Sequence, residues 1–373
     1  MNIGFDGKRA ANNLTGLGNY SRSLITQLAQ FFPQNQYFVY TPKVKEAKQI
    51  QEFFRLRSII QVLPNSSKFL WRTLGIKKQL LEDRIDLFHG LSHEIPVGLQ
   101  AIGLPSIVTI HDLIFLKFPQ YFGRIDRFIY ALKCRYACKH ASKIVAISEQ
   151  TKKDIISFFN IPEEKIAVVY QGCDDSFKTS ALESVKQSVQ IKYQLPDRYI
   201  LNVGTIETRK NLVTLIKALK GIPEEIKLVV VGKETPYKKL VIQEIERLSL
   251  GERVIFLQNI PFNELPAIYQ MATLFVYPSL YEGFGIPIIE ALYSQVPVIA
   301  ATGSCLEEAG GPGSVYVEPE NAVELTDAIN NVLRDPEKQD QMKQKGLAYV
   351  QRFNNERIAT DMMKVYQDTL NKA

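Results

Sequence analysis

Residues 275–300 have the sequence FVYPSLYEGFGIPIIEALYSQVPVIA. An apolar run ends at Pro278, a loop with two glycines follows, and an apolar helical pattern then begins with Pro287 near its first turn, where the missing N–H of proline does no harm. The glycines allow close approach of the backbone to a ligand, and the carboxylates of Glu282 and Glu290 can hold the vicinal hydroxyls of a sugar or ribose. We expect Glu290 in the first turns of the helix, where a carboxylate suits the helix dipole. The stretch predicts a buried strand, a binding loop and a helix of an α/β fold; a tight turn with two solvated acids is the alternative.

A second strand–loop–helix pattern occupies residues 199–218, YILNVGTIETRKNLVTLIKA. Gly204 follows the strand, and Arg209 and Lys210 lie where we expect the helix to start. Cations at a helix start oppose the helix dipole, so the pair needs a compensating anion. A diphosphate fits, because Arg offers a fork of donors and Lys a point charge. A solvated basic pair is the alternative.

Similar patterns extend along the rest of the chain. Short, continuous apolar runs alternate with longer helical patterns, which is typical of parallel strands buried on both faces and of a doubly wound α/β sheet. We predict strands at residues 2–5, 37–41, 59–63, 86–89, 107–111, 143–147 and 167–170, and again at 199–203, 227–231, 254–257, 274–277 and 298–300.

The two series of strands predict two Rossmann-like domains, 1–180 and 181–354, facing each other across a cleft. The polar stretch near residues 175–195 separates them, and residues 355–371 form one final helix. Ligands of open α/β sheets bind beyond the carboxyl ends of the strands, which is where the residues named above occur.

The first half of the chain has its own candidates. Gly16 and Gly18 precede a helix expected from about Ser21, and glycines at a helix N-terminus suit an anion. The pattern is not the GxGxxG dinucleotide fingerprint, which disfavours a dehydrogenase. His111 ends a predicted strand and is a candidate active-site residue, with a structural histidine as the alternative.

No metal site is expected. His89 and His93 have a spacing that can bind zinc on a helix, but Gly90 and Pro96 argue against a helix there. The chain also lacks a DxD motif that would bridge a metal to a nucleotide sugar.

Composition limits the class of protein. The N-terminus has no apolar core segment of a signal peptide, and no apolar run approaches the roughly 20 residues that span a bilayer. We therefore expect a cytoplasmic protein, with its four cysteines reduced and mostly buried.

Residues 1–175 hold 23 Lys or Arg and 15 Asp or Glu, whereas the remainder holds 22 and 24, so the basic excess belongs to the first half. No RNA- or DNA-binding motif is evident, and no nucleic-acid partner is expected.

Two segments of the first half are both basic and aromatic: FGRIDRFIYALKCRYACKHA at 122–141, and KFLWRTLGIKKQLL at 68–81, which contains the single tryptophan, Trp71. Cationic amphipathic helices can lie in an anionic membrane interface. Two ordinary helices with solvated Lys and Arg are the alternative.

Taken together, these motifs resemble the retaining glycosyltransferases of family 4, which have the GT-B architecture. YEGFGIPIIE is similar to the E-x7-E element of that family, and VGTIETRKN to its donor-phosphate element. GLGNY, TIHDL and VAISEQT occur in the expected order, so the resemblance spans nearly the whole chain.

The resemblance implies a role for each candidate. Arg209 and Lys210 would neutralise the leaving diphosphate, assisted by backbone N–H groups at 16–18, and Glu290 would hold the ribose. Glu282 and the amides at 283–285 would bind the hydroxyls of the donor sugar, which His111 would also approach. The donor-binding set implied in this way is Gly16, Gly18, Gly204, Arg209, Lys210, Ile260, Gly283, Phe284, Gly285 and Glu290.

The same resemblance implies a substrate class. A hexose, with mannose as the leading candidate, would move from GDP-mannose or a UDP-sugar to a glycan or polyprenyl-diphosphate-linked acceptor. No cofactor or metal would be required, because the cationic pair replaces the metal.

The enzyme would be peripheral at the inner face of the plasma membrane, and the final helix would pack back on the first domain. The alternatives are a retaining GT-B phosphorylase, which uses inorganic phosphate, and a non-catalytic protein that binds glycans or nucleic acid.

Overall fold

The computed structural model describes residues 1–65 and 70–372, which divide into two compact units. The first unit comprises residues 1–171 and the C-terminal segment from Phe353; the second comprises Gly172–Arg352. Within the described residues, no helix combines the length and the apolar character needed to cross a membrane.

The first unit is built on a seven-stranded, wholly parallel sheet of strand order β3-β2-β1-β4-β5-β6-β7. Alternate side chains of its strands enter two separate apolar cores: Tyr40 and Phe88 belong to one, and Tyr37 and Leu87 to the other. The strands are β1 Asn2–Asp6, β2 Gln36–Tyr40, β3 Ile59–Val62, β4 Leu87–Gly90, β5 Ser106–Ile110, β6 Lys143–Ala146 and β7 Ile166–Val168.

Helices cover both faces of this sheet. They are α1 Lys8–Asn12, α2 Gly16–Phe31, α3 Lys48–Phe54, α4 Ile76–Glu82, α5 Ile114–Lys117, α6 Arg124–His140 and α7 Glu149–Phe159, with a short π-helical turn at Trp71–Gly75. The helix that we expected from about Ser21 begins earlier, at Gly16, because the extended Thr15 serves as its N-cap.

The second unit repeats the architecture with a six-stranded parallel sheet of order β10-β9-β8-β11-β12-β13. Its strands are β8 Tyr199–Val203, β9 Lys227–Val231, β10 Val254–Leu257, β11 Leu274–Tyr277, β12 Val298–Ala301 and β13 Val315–Val317. Its helices are α8 Glu183–Tyr193, α9 Leu212–Leu219, α10 Lys238–Arg247, α11 Leu265–Gln270, α12 Ile286–Tyr293, α13 Leu306–Gly310, α14 Ala322–Leu333 and α15 Pro336–Val350.

The prediction of two doubly wound parallel sheets is confirmed. The polar stretch 175–195, expected to separate the domains, contains the helix α8. Sequence analysis also missed the short elements α1 and β13. Both are short, at five and three residues, and only one of the three side chains in β13 is fully buried. Neither element therefore has a long apolar pattern for sequence reasoning to detect.

The last helix, α16 Asn355–Leu370, belongs to the first unit although it follows the second in the chain. Asn354 caps it by accepting the N–H of Arg357. Met362, Met363 and Tyr366 are buried in the same core as the apolar face of α2. The C-terminal segment is thus part of the hydrophobic core of the first unit.

Replacing Met362 by Ala should lower the free energy of unfolding of the first unit by about 2–5 kcal/mol, because it leaves a cavity in a closely packed core. The exposed neighbour Gln367→Ala on the same helix is the matched control and should change it by less than about 0.5 kcal/mol. Urea unfolding measures both variants. Equal stability of the two would contradict the packing of α16 described above.

Candidate functional site

The loop between β11 and α12 is held rigidly in place. Gly285 has a φ of +132°, and a Cβ at this position would lie 3.0 Å from that of Ala309, so the position requires glycine. The buried Cys305 Sγ lies 3.1 and 2.8 Å from the carbonyl oxygens of Glu282 and Phe284, which share its single S–H donor. The carboxylate of Glu282 is therefore positioned by backbone contacts on both sides of Gly283.

Glu282 forms ion pairs with both members of the basic pair. Its Oε2 lies 2.7 Å from Arg209 Nη1, and its Oε1 lies 2.6 Å from Lys210 Nζ. Ser279 Oγ and Tyr277 OH donate to Oε1 at 2.5 and 3.1 Å. Only a tenth of the Glu282 side chain is exposed. Burial alone would raise the pKa of this carboxyl, but Lys210 and Arg209 outweigh burial and hold the pKa at about 2.

Arg209 and Lys210 lie in a 3₁₀ turn, Thr208–Lys210, rather than at the start of the helix. Asn211, in the left-handed region with a φ of 57°, separates this turn from α9. Arg209 Nη1 also donates to the carbonyl of Tyr281 at 2.5 Å, and Leu280 N–H donates back to the Arg209 carbonyl at 2.8 Å. The two loops that sequence analysis singled out are therefore joined directly, beyond the carboxyl ends of β8 and β11.

The anion that we expected to compensate the basic pair is supplied by the protein itself. Glu282 contacts both cations, and Glu207 Oε1 lies 2.6 Å from Arg209 Nη2. The side chains of Arg209 and Lys210 remain partly accessible, with 15% and 14% of their surface exposed. The cluster can therefore meet a second anion while its geometry is already set.

Gly204 directly follows β8, and its N–H donates to the carbonyl of Val231 at 2.9 Å. Ile260 lies just beyond the carboxyl end of β10, after Asn259 with a φ of 53°. Both residues therefore lie at the same edge of the second sheet as the ion-paired cluster.

Glu290 is the fifth residue of the eight-residue helix α12, in its second turn and beyond the first turn where the helix dipole acts most strongly. The OH of the buried Tyr269 donates to its Oε2 at 2.8 Å. Burial raises the pKa of Glu290 to about 7, since the hydrogen bond from Tyr269 offsets only part of that effect. This carboxyl therefore changes charge near neutral pH, unlike Glu282.

In the first unit, Gly16 and Gly18 form the first turn of α2 instead of a preceding loop. A Cβ on Gly18 would lie 1.9 Å from the carbonyl oxygen of Asn13, so only glycine fits. The N–H of Gly18 already donates to the Thr15 carbonyl at 2.9 Å. The Gly18 amide, one of those expected to bind an anion, is thus already hydrogen-bonded to the Thr15 carbonyl.

His111 follows β5 and is buried. Its Nε2 lies 2.9 Å from the carbonyl oxygen of Leu91, so Nε2 carries the proton and Nδ1 keeps its lone pair. Its backbone N–H donates to His93 Nε2 at 3.3 Å, the two rings stack at 5.5 Å, and the ring of Tyr20 meets His111 edge-on at 4.6 Å. Burial lowers the pKa of His111 to about 4, which leaves a neutral imidazole at pH 7.

His89 and His93 do not lie on a shared helix, because β4 ends at Gly90 and His93 has a φ of 62°. His89 instead bridges Thr109 Oγ1 and Tyr366 OH, at 2.8 and 2.7 Å. In residues 1–65 and 70–372 no three His, Cys, Asp or Glu side chains are grouped in a way that could hold a metal ion. Sequence reasoning missed the contacts of His93 and Tyr20 with His111, since they join the helix α2 and the segments after β4 and β5, which are far apart in the chain.

Two family models match the chain. Residues 14–177 match Glycosyltransferase Family 4, and residues 183–348 match Glycosyl transferases group 1. The chain belongs to these glycosyltransferases, as the sequence motifs predicted.

Two similar proteins are O-antigen chain mannosyltransferases of bacteria. The chain is 28% identical to O-antigen chain mannosyltransferase B of Escherichia coli, over 95% of this chain and 96% of that protein. It is 32% identical to the O-antigen chain mannosyltransferase RfbU of Salmonella typhimurium, over 66% of this chain and 63% of that protein.

Solved structures share the fold. Sucrose-phosphate synthase from Thermosynechococcus elongatus superposes with a TM-score of 0.79 at 21% identity, over the whole of both chains. HepE of Anabaena, in complex with UDP, gives 0.78 at 19% identity, over 99% of this chain and all of that one. The fold is GT-B, as the resemblance predicted.

Glu282→Gln should lower the free energy of unfolding of the second unit by about 3–5 kcal/mol, because it leaves two cations poorly solvated without their carboxylate. Glu207→Gln is the matched control: it removes the other carboxylate on Arg209, but that side chain is 36% exposed. It should cost less than about 1 kcal/mol. Thermal or urea unfolding compares the two, and an equal cost would refute the central role of Glu282.

Proposed function

We propose that this protein is a retaining glycosyltransferase that moves a hexose, with mannose as the first candidate, from a nucleotide-diphosphate sugar to a glycan. The observation that carries the proposal is the basic pair Arg209 and Lys210, fixed on Glu282 at the carboxyl edge of the second sheet. In this proposal the second unit binds the donor, and the first unit binds the acceptor.

The basic pair stabilises the leaving diphosphate. Negative charge grows on the diphosphate as the glycosidic bond breaks, and cations already aimed at that charge stabilise the transition state without reorganisation. Arg209 offers a planar fork of donors and Lys210 a point charge. Because Glu282 holds both cations, neither has to be ordered when the donor binds. This arrangement supports a reaction that needs no metal.

Glu282 is poorly suited to act as a nucleophile. Its Oε2 is held by Arg209, and its Oε1 by Lys210 and Ser279. A retaining glycosidase instead uses a nucleophilic carboxylate with a second carboxyl about 5 Å away. We therefore assign Glu282, with the loop 283–285, to binding of the hydroxyls of the donor sugar, and we propose substitution on the face that the diphosphate leaves.

The remaining residues bind the rest of the donor. Glu290, once ionised, accepts hydrogen bonds from the two ribose hydroxyls, and the base lies near Ile260. The neutral His111 offers Nδ1 as an acceptor for a sugar hydroxyl, since Nε2 is committed to Leu91. The N-terminus of α2 at Gly16 contributes amides toward the phosphates.

The relatives support the choice of substrate. Two proteins similar to this chain are O-antigen chain mannosyltransferases, which favours mannose and therefore GDP-mannose. The HepE structure with UDP keeps a UDP-sugar as the second candidate. For the acceptor we propose a glycan carried on a polyprenyl diphosphate, at the cytoplasmic face of the plasma membrane.

Nucleotide binding tests the donor class. Saturation with the correct nucleoside diphosphate should raise stability by about 2.7 kcal/mol at a hundred times its dissociation constant. We expect this shift with GDP rather than UDP or ADP, in EDTA as well as without it, and not in Arg209→Ala/Lys210→Ala. Thermal shift measures all of these combinations.

Two outcomes would contradict the proposal. A shift with inorganic phosphate but with no nucleotide would favour the retaining phosphorylase. Loss of turnover in EDTA with recovery in magnesium would contradict a reaction that needs no metal.

The stereochemistry is tested separately, by NMR of the glycoside formed from GDP-α-mannose, which should be the α-anomer.

Nucleotide affinity should also depend on pH through Glu290. The native pKa of about 7 lies above the ordinary 4.5, so the folded protein retains a proton that the unfolded chain has released. The free energy of unfolding contributed by this group therefore decreases as the pH rises from 4.5 to 7. Ribose binding needs the ionised form, so GDP affinity should rise about tenfold from pH 6 to 8.

Glu290→Gln is the matched control for that experiment. It should bind GDP more weakly, and it should keep only the pH dependence of the nucleotide phosphates. Calorimetric titrations at several pH values compare the two proteins. Parallel profiles would show that Glu290 does not contact the ribose.

A further inference from the structure

The helix α6 carries its large apolar side chains on the outside. Cys134, Ala137 and Cys138 face the core of the first unit and are fully buried. The opposite face presents Ile125, Phe128, Ile129 and Leu132, which are 77, 66, 42 and 54% exposed. Helices on the surface of a globular unit ordinarily show the reverse arrangement.

These four exposed residues, here called the α6 ridge, form one continuous surface. Their spacing of three, four and seven residues places them within a roughly 100° arc of the helix, opposite the buried small residues. Scattered single apolar residues on a surface are ordinary, whereas a contiguous group of large ones marks an interaction surface.

Basic residues flank the ridge on both sides. By helical geometry Lys133 lies on one side and Arg124 and Arg135 on the other, with Lys139 toward the C-terminus. Asp126 is the single acidic residue of α6. Lys133 forms an ion pair with Glu94 at 3.2 Å, and Arg135 lies 5.6 Å from the ring centre of Phe159, while Arg124 and Lys139 are exposed.

In the second segment expected at a membrane, the described residues 70–81 expose Leu70, Leu74 and Leu81 by 51, 47 and 56%, but they do not expose the tryptophan. Trp71, its expected aromatic anchor, is 1% exposed and packs in the core with Tyr40. Lys68 lies outside the described residues. The side-chain charge of Lys78 is paired with that of Glu82 at 3.7 Å.

We infer that the α6 ridge docks this protein on an anionic phospholipid surface. Its apolar side chains enter the interface between headgroups and acyl chains, and the flanking cations meet anionic headgroups. A second copy of the chain fits less well, because a symmetric contact through this ridge would bring the same cations face to face. The inference rests on the proposed function in one respect: a polyprenyl-linked acceptor would be presented at that surface.

Vesicle co-sedimentation of the full chain tests the inference without catalysis. We expect binding to vesicles of phosphatidylcholine mixed with phosphatidylglycerol, and little binding to phosphatidylcholine alone. The ridge variant Ile125→Gln/Phe128→Gln/Leu132→Gln should lose binding to the mixed vesicles. Arg124→Gln/Lys139→Gln should weaken binding by roughly fivefold per charge at low salt.

The matched control is Leu182→Gln/Ile191→Gln in the second unit, where the two side chains are 72 and 78% exposed. It removes two highly exposed apolar side chains, against three in the ridge variant, and should bind the mixed vesicles as the unmodified protein does. The thermal shift with GDP reports folding of each variant. It also separates the two proposals, since the ridge variant should retain that shift while losing vesicle binding.

Three results would overturn the inference. One is the lack of binding of the unmodified protein to mixed vesicles, and another is equal binding by the ridge variant. The third is concentration-dependent self-association, measured by sedimentation velocity, that the ridge variant abolishes while vesicle binding is unaffected. That third result would assign the ridge to a second copy of the chain.

Discussion

The candidate site depends on one buried carboxylate that holds two cations. Glu282 places Arg209 on one oxygen and Lys210 on the other, so the turn before α9 and the loop before α12 are fixed relative to each other. A hydrogen bond from the Leu280 N–H to the Arg209 carbonyl joins the same two loops through their backbones. Two like charges are stable in this partly buried place because Glu282 compensates both of them, with Glu207 as a second partner of Arg209.

The two units prepare their functional groups by opposite electrostatic means. In the second unit, ion pairing keeps Glu282 ionised far below neutral pH. In the first unit, burial without a paired charge keeps His111 neutral, and the Leu91 carbonyl fixes which ring nitrogen carries the proton. In the proposed reaction, the positive charges of Arg209 and Lys210 suit a diphosphate that gains negative charge, whereas the neutral imidazole of His111 suits a sugar hydroxyl. Both devices exist before any ligand binds, which is the condition for electrostatic preorganisation.

Much of the fold follows from local pattern. Parallel strands buried on both faces must be continuously apolar, so strands such as β8 and β11 are visible as short runs between helical segments. The short β13 and the five-residue α1 lack such a pattern and were missed. The same limitation applies to the site: glycines, acids and bases at strand ends were detected, whereas the contacts of His93 and Tyr20 with His111 join residues that are 18 and 91 positions apart from it. No local spacing contains that information.

The sequence by itself determined the α/β class, the order of the strands along the chain and the motifs at their carboxyl ends, because each of these is written in neighbouring residues. Only the tertiary structure decided how the groups are charged and which are exposed. It paired Glu282 with the basic residues 72 and 73 positions before it, buried Glu290 beside Tyr269, withdrew Trp71 into the core and turned the large side chains of α6 outward. The physical reason is that charge state and exposure depend on neighbours brought together by packing, and packing is a property of the whole chain.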